Sequence, residues 1–315
     1  MCLERMGSFL HISTEDAQKI IDKAKAGQEI NETFSSSEWI EQRLIPNCVF
    51  INQNEYAEMC VDALKILSTT AATDYGSSRQ RDLGQLWADM TRGYLGEIAF
   101  VKFLKEKHNI DARLGHDIGT LSDYLPSDIH EIKKGNEYFR SPRIEISIKT
   151  SKWNGIWLDI PGDQFNHSYV HVFIKIGAGR DHLFAFFKEI SVFKDKVLRK
   201  GVEVGSLSET EADQLYDNLP SFTPIPAYIC GFVLRDTPYS TLDYSGKKGK
   251  KHYTIKSWNG SIRPNDLSEI KDREKVDGNV NFEGIGTFAH DSGYLFNTGN
   301  LLWQHTDWQR VIDAL

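Results

Sequence analysis

The segment RIEISIKTSKWNGIWLDIP, residues 143–161, decides the fold of this chain. Apolar and polar residues alternate through residues 143–149, and the alternation resumes in IWLDI at 156–160. A period of two residues is typical of a β-strand with one buried face. Because the turn-forming sequence Trp-Asn-Gly at 153–155 separates the two runs, they predict a β-hairpin.

The polar face of the first predicted strand carries unusual chemistry. Three isoleucines occupy one face, and the opposite face presents Glu145, Ser147 and Lys149. A carboxylate and a lysine therefore point into the same space, which makes this face a candidate functional surface.

Three later apolar segments predict that the sheet continues beyond the hairpin. These are YVHVFIKI at 169–176, DHLFAFF at 181–187 after a GAGR turn at 177–180, and AYICGFVLR at 227–235. With helical patterns before them, they predict an α/β fold in which a central mixed β-sheet is flanked by helices.

Three helices are predicted before the sheet, over residues 13–27, 52–67 and 82–107. The first has Ser/Thr and acidic residues at its start and glycine at its end, the usual signs of a capped helix. Composition changes divide the chain into an N-terminal helical region at 1–76, a core at 77–240 and a C-terminal extension at 241–315.

The helix from Asp82 has an apolar stripe with one charged member, Glu97. Its members recur at spacings of three and four residues, and they are Leu83, Trp87, Met90, Tyr94, Glu97, Val101 and Leu104. A buried carboxylate is costly without a cation, a metal or a hydrogen-bond donor. Two interpretations stay open: Glu97 lies at the edge of the stripe and pairs with a basic residue, or it faces the sheet as a metal ligand.

A fourth group, Asp128, opens a short segment that leads towards the predicted hairpin. Glu97, Asp128, Glu145 and Lys149 are thus candidates to converge in one site. Oxygen ligands of this kind hold Mg²⁺ against a phosphate, and a lysine can orient or deprotonate the attacking water. The same acidic stretch offers two alternatives to Asp128, namely Asp117 and Asp123.

Helical Glu97, Asp128, the strand end IKTSK at 148–152 and the return WLDIP at 157–161 resemble the PD-(D/E)xK nuclease superfamily, particularly the type II restriction endonucleases. The resemblance covers about residues 90–176. It implies a restriction-endonuclease-like core, a Mg²⁺ cofactor held by acidic residues, and catalytic roles for Glu97, Asp128 and Lys149.

The sequence departs from the family pattern at Ser147, where the family usually has an acidic residue two positions before the lysine. Glu145 is the first candidate to replace that carboxylate, because it lies two residues back on the same strand face. Asp159 on the return strand is the second candidate. Glu97, Asp128 and Glu145 are therefore the predicted metal ligands.

The net charge of −7 argues against non-specific coating of nucleic acid, so any DNA affinity must come from local patches. One patch, the hairpin lysines, consists of Lys247, Lys248, Lys250 and Lys251. These residues are predicted to contact DNA phosphates; the alternative is a solvated lysine loop. Nearby aromatic residues could contact DNA or belong to the core, and they are Tyr244, Tyr253 and Trp258.

The four cysteines are widely spaced and form no CxxC pair, which favours reduced thiols over disulfides or structural zinc. No stretch reaches the roughly 20 apolar residues of a membrane helix. We therefore expect a cytoplasmic protein. His167 and His171 could share a strand face, but the sequence offers no third metal ligand beside them.

The leading functional hypothesis is a Mg²⁺-dependent, sequence-specific endonuclease that cleaves double-stranded DNA, like a type II restriction enzyme. Cutting at palindromic sites would imply a homodimer with twofold symmetry. Two alternatives remain: a repair or structure-specific nuclease of the same superfamily, and a non-catalytic DNA-binding protein with a nuclease-like fold. The vacancy at Ser147 keeps the last of these open.

Overall fold

The computed structural model describes residues 2–66, 82–115, 127–236, 241–263, 265–283, 286–287 and 293–315. Its helices are α1 (Cys2–Leu10), α2 (Thr14–Ala26), α3 (Ser36–Glu38), α4 (Gln53–Ile66), α5 (Leu83–His108), α6 (Gly162–Phe165), α7 (Arg180–Glu189), α8 (Arg199–Glu203), α9 (Glu209–Asp217), α10 (Asp266–Glu274) and α11 (His305–Ala314). Its strands are β1 (Cys48–Ile51), β2 (Ile110–Leu114), β3 (Ile129–Lys134), β4 (Ile146–Lys152), β5 (Trp157–Ile160), β6 (Val170–Ile176), β7 (Ile225–Leu234), β8 (Asp243–Lys248), β9 (Tyr253–Asn259), β10 (Ser261–Ile262), β11 (Val280–Phe282), β12 (Gly286–Thr287) and β13 (Tyr294–Asn297). Two π-helical turns, Trp39–Leu44 and Phe193–Leu198, and a 3₁₀ turn, Thr298–Asn300, complete the elements.

The central sheet has the strand order β1-β7-β6-β4 and is mixed. β4 and β6 are parallel, whereas β7 runs antiparallel to both β6 and β1. Every residue of β6 and β7 is buried, because both faces of the sheet are covered. The predicted class, a mixed α/β protein with a central sheet flanked by helices, is confirmed.

The predicted pairing of β4 with β5 is wrong. β5 pairs antiparallel with β13 in a second sheet of order β10-β13-β5. At the edge of β4 that faces away from β6, no strand is paired among the described residues; there the amide of Asp128 donates to Ile146 O and the amide of Ile148 donates to the Asp128 carboxylate. The alternation within each strand was recognised correctly, but alternation alone does not identify the partner strand.

The segment 181–187 forms helix α7 and not the predicted strand. Short apolar runs such as HLFAFF do not distinguish a strand from a buried helix. The preceding GAGR sequence begins the helix: the amide of Gly179 donates to His182 Nδ1 at 3.0 Å, which satisfies a donor at the helix start. Ala185 and Phe186 are the buried residues of the helix.

The three predicted N-terminal helices are confirmed as α2, α4 and α5. Ser13 caps α2 by accepting from the amide of Asp16, and Asp82 caps α5 by accepting from the amide of Gln85. The predicted apolar stripe of α5, however, is off-centre. The most buried residues of the helix are Leu95, Ala99, Phe100, Phe103 and Leu104, so Glu97 lies at the edge of the buried face and is only partly exposed.

Three hydrophobic cores hold the chain together. The first lies between α4, α5, α11 and one face of the central sheet, and the second between the N-terminal helices and the other face. The third core lies between β8, β9, β11 and α10. The stretch 241–315 thus contributes both its own core and, through Trp308 of α11, part of the first one. Within the described residues, no helix is long and apolar enough to cross a membrane.

Candidate active site at the free edge of strand β4

Strand β4 places Lys149 on a different face from the strand's buried isoleucines. Ile146 and Ile148 belong to the first core, packed beneath α5, while Ser147 and Lys149 point to the other side of the strand. Asp128 reaches the same strand from the start of β3 and accepts the Ile148 amide. Lys149 and the Asp128 carboxylate therefore lie at neighbouring positions along β4.

Helix α5 brings Glu97 to this edge because Gly96 allows a very close approach. A Cβ atom on Gly96 would overlap the Thr150 hydroxyl group of β4. Glycine at this position lets the helix backbone lie almost against the strand. The next residue, Glu97, is then held close enough for its charge to act on both Asp128 and Lys149.

The carboxyl group of Glu97 has a strongly perturbed pKa. Burial raises it most, the charge of Asp128 raises it further, and Lys149 only partly compensates, so the pKa rises to about 8. Burial also raises the pKa of Asp128, although the Ile148 amide and Lys149 oppose the shift. Two neighbouring carboxyl groups are thus held where full ionisation of both is unfavourable without a further cation.

Lys149 is held among acidic groups by a neutral partner. Its Nζ donates to Gln164 Oε1 at 2.7 Å, and Gln164 comes from the short helix α6 that follows β5. Burial lowers the pKa of Lys149, while the charges of Asp128, Asp159 and Glu97 oppose that change. A lysine with a lowered pKa in such a setting is suited to proton transfer.

Three of the residues weighed in the sequence, Glu97, Asp128 and Lys149, therefore act on one another electrostatically, and a fourth, Asp159, acts on Lys149. Glu145 is not brought into this cluster: its side chain is exposed, it precedes β4, and its carbonyl accepts the amides of Tyr169 and Val170. The alternation places Glu145 on the same strand face as Ser147. Two residues along a strand span about 7 Å, however, so Glu145 lies that far from the position of Ser147 and outside the cluster. The alternatives to Asp128, Asp117 and Asp123, lie outside the described residues.

Sequence reasoning missed Gln164 and the buried position of His171. Gln164 lies within no motif, and only the position of α6 against β4 shows that it meets Lys149. His171 lies opposite Ser147 on β6, is buried, and has Nε2 at 3.1 Å from Phe165 O. Burial is the main cause that lowers the pKa of His171 to about 4, so the ring is neutral. His167 is exposed and takes no part in this contact.

The donor set at this edge fits a hard divalent cation. Mg²⁺ prefers oxygen ligands and is commonly held by one or two carboxylates together with water and substrate phosphates. Asp128 and Glu97 supply such oxygens, and Asp159 lies near enough for its charge to act on Lys149. Within the described part of the chain, no three His, Cys, Asp or Glu side chains form a metal site made only of protein ligands.

The hairpin lysines lie apart from this site, on β8 and the turn to β9. All four side chains are exposed, and Lys248 Nζ donates to the Lys275 carbonyl at 2.6 Å. The neighbouring aromatic residues are mainly structural: Tyr253 and Trp258 are buried in the third core, and Tyr244 packs against it.

Comparisons of this chain with protein-family models, with curated proteins and with solved structures gave no match. Its function must therefore be argued from the chemistry of the site.

Proposed function

We propose that this protein is a Mg²⁺-dependent DNA endonuclease of the PD-(D/E)xK type, with its active site at the free edge of β4. The observation that carries the proposal is the cluster of Glu97, Asp128 and Lys149 at this edge, where burial and then the charge of Asp128 raise the pKa of Glu97 to about 8. Strongly perturbed groups that gather at a partly accessible strand edge are typical of catalytic sites.

In this proposal Asp128 and Glu97 would hold Mg²⁺, which would supply positive charge beside the scissile phosphate and lower the pKa of the attacking water. Lys149 contacts the attacking water or the developing negative charge, and the lowering of its pKa by burial favours proton exchange with that water. Gln164 positions the lysine by accepting one of its hydrogen bonds. A neutral acceptor orients the amino group without adding a further charge that would raise the lysine's pKa.

The finer assignment is a sequence-specific enzyme that cuts double-stranded DNA, as type II restriction enzymes do. The coupled site at an edge strand of a mixed sheet, with its glutamate on a flanking helix, supports a restriction-endonuclease-like core. The exposed hairpin lysines, Lys247, Lys248, Lys250 and Lys251, are proposed as phosphate contacts outside the active site. A homodimer and a cytoplasmic location belong to the same proposal.

Incubation of the purified protein with a long DNA, with and without Mg²⁺, tests the proposal directly. Discrete fragments that appear only with the metal, and whose sequenced ends share one site, would establish a sequence-specific nuclease. Metal-dependent cleavage at heterogeneous or structured sites would favour a repair or structure-specific nuclease. Absence of any metal-dependent cleavage would contradict the proposed activity.

A second candidate is a DNA-binding protein with this fold and no catalysis. Ser147 favours it, because the strand position expected to carry a metal ligand has a hydroxyl group. The two candidates differ in their metal response. A non-catalytic protein would bind a duplex equally well with and without Mg²⁺ and would never nick a supercoiled plasmid.

A further inference from the structure

A second feature adjoins the candidate active site: a cleft between α5 and the turn that joins β6 to α7. The cleft encloses about 410 Å³, and its charged lining residues are Arg92, Lys152 and Arg180. Among the described residues that line it, none is acidic. A larger cavity of about 800 Å³ shares Lys152 and Arg180 and continues towards Lys19 and Lys23 of α2, and Asp16 and Asp181 also line it.

The positive charge of this cleft contrasts with the net charge of −7 of the whole chain. Lys152 is exposed, and within the described residues its side chain forms no ion pair. Arg92 is paired with Asp89 at 2.9 Å, and in the described part of the chain Arg180 forms an ion pair only with its exposed neighbour Asp181, at 3.4 Å. The N-terminus of α7 also faces the cleft through Gly179 and Arg180, which adds the positive end of a helix dipole.

The cleft is connected to the active site by the same two elements that carry the catalytic groups. On β4, Lys152 lies three residues beyond Lys149, a distance of about 10 Å along a strand. On α5, Arg92 lies five residues before Glu97, or about 7.5 Å along the helix. DNA advances about 3.4 Å per nucleotide along its axis, so both cations lie about two to three nucleotides from the site.

We propose that this cleft binds the DNA sugar-phosphate backbone two to three nucleotides from the bond that is cut. The inference rests on the proposed nuclease function. It assigns the path of the DNA strand beside the active site, which the nuclease function alone does not specify. Lys152 and Arg180 contact consecutive phosphates, and Arg92 supports the same strand from α5. Because these contacts go to phosphates, they position the scissile bond without reading sequence.

The test compares the double variant Lys152→Gln/Arg180→Gln with the matched control Lys196→Gln/Arg199→Gln, whose two side chains are exposed and line neither cavity. Binding to a 30-base-pair duplex is measured by fluorescence anisotropy in EDTA over a range of salt concentrations. The cleft variant is expected to bind about tenfold more weakly, and its slope of log Kd against log salt should fall by about two, since each lost phosphate contact removes about 0.9. The control should stay within twofold of the wild type.

An unchanged salt slope in the cleft variant would overturn the inference. Plasmid cleavage with Mg²⁺, measured on the same preparations, separates this failure from a failure of the proposed function. If the wild type cleaves and the cleft variant binds normally, the nuclease stands and the strand path is wrong. If the cleft variant loses binding but the wild type never cleaves, the phosphate site stands and the nuclease proposal fails.

The position of the contact is tested separately, once the cut has been mapped. Neutral methylphosphonates placed two and three nucleotides from the cut should weaken binding by the wild type and leave binding by the cleft variant unchanged. Equal effects on both proteins would show that these phosphates are contacted elsewhere and would overturn the assigned path.

Discussion

Two lysine–carboxylate groups lie on adjacent strands of one sheet, yet their environments differ in kind. On β6, Lys175 donates to Glu29 at 2.7 Å, and Glu29 also accepts from the Tyr228 hydroxyl at 2.7 Å and from Trp39 Nε1 at 3.0 Å. Although burial raises the pKa of Glu29, the charges of Lys175 and Arg43 and these hydrogen bonds lower it to about 2. Both carboxylate oxygens of Glu29 therefore accept hydrogen bonds from the protein itself, and the charge is balanced without a ligand.

The carboxylate of Glu97, beside Lys149 of β4, is in the opposite situation. Lys149 donates to the neutral Gln164, and within the described residues no side chain donates a hydrogen bond to Glu97. The pKa of Glu97 is accordingly raised to about 8 and not lowered. A buried carboxylate with its full set of donors is structural, whereas a carboxylate that lacks them is prepared for a cation or a proton. The comparison therefore supports the proposal that the set on β4 is the functional one.

The largest expected effect is the loss of DNA cleavage when a residue of the β4 cluster is replaced. Lys149→Ala and Asp128→Asn should each lower single-turnover DNA cleavage about 10³-fold, because each removes a group that acts on the reacting atoms or holds the metal. DNA binding measured in EDTA should change less than threefold for Lys149→Ala. Normal cleavage by either variant would remove this edge of β4 as the active site.

The next effect concerns stability and distinguishes the two lysines directly. Lys175→Met should lower the free energy of unfolding by about 3–5 kcal/mol, since it leaves Glu29 charged and buried without its nearest cation. Lys149→Met, the same substitution on the next strand, should change it by less than about 1 kcal/mol, because Lys149 donates to the neutral Gln164 and the carboxyl group of Glu97, with a pKa of about 8, is protonated at pH 7. Urea unfolding at pH 7 measures both. Equal losses would mean that the two lysines have the same structural role.

A smaller effect follows from the raised pKa of Glu97 in metal-free protein. Below about pH 4.5 the carboxyl group is protonated in the folded and unfolded chains alike; between 4.5 and about 8 only the folded chain keeps the proton. Stability is therefore lost as the pH rises through this window, and the full penalty applies above it. Glu97→Gln should raise the free energy of unfolding by about 2 kcal/mol at pH 8.5, or the melting temperature by about 4 °C.

This stabilisation should shrink as the pH falls towards 5, and the variant should at the same time lose metal-dependent cleavage. Thermal melts at the two pH values, with Glu145→Gln as an exposed control, measure the effect. A Glu97→Gln protein that is less stable than the wild type at pH 8.5 would show that the carboxylate has donors of its own, as Glu29 has.

Much of the fold can be predicted from the sequence, because strand and helix periods are local properties. The alternation at 143–149 indicated β4 and the face of Lys149, the cap at Ser13 marked the start of α2, and the apolar period from Asp82 marked α5. Pairing is not local. Nothing in IWLDI shows that its partner is β13, more than 130 residues later, and nothing in HLFAFF distinguishes α7 from a strand.

The candidate site could likewise be predicted only as far as its residues stand out locally. Glu97, Asp128 and Lys149 could be named because each stands out within its own element: a charge on an apolar stripe, an acid at a strand start, a lysine opposite isoleucines. The geometry between elements could not be predicted. Gln164 meets Lys149 only because α6 folds back beneath β4, and the complete network around Glu29 depends on Tyr228, about 200 residues away.

The smallest expected effect is at Glu145, and it tests whether proximity or sequence spacing selects the carboxylate that replaces the one absent at Ser147. Glu145→Gln should leave cleavage within about twofold of the wild type, because the side chain is exposed and lies outside the charges that act on Glu97, Asp128 and Lys149. Asp159→Asn, the matched change at the residue whose charge does act on Lys149, should cost about tenfold and raise the Mg²⁺ concentration needed for half-maximal rate. Ser147→Ala should be tolerated, since the hydroxyl group is no substitute for an anionic ligand.

Single-turnover rates for the three variants over a Mg²⁺ titration distinguish the cases, because a lost ligand shifts the metal requirement and a lost surface charge does not. The opposite result would be a raised metal requirement in Glu145→Gln and an unaffected Asp159→Asn protein. It would show that the strand moves to bring Glu145 to the site, so that the arrangement at the free edge of β4 changes when metal and DNA bind.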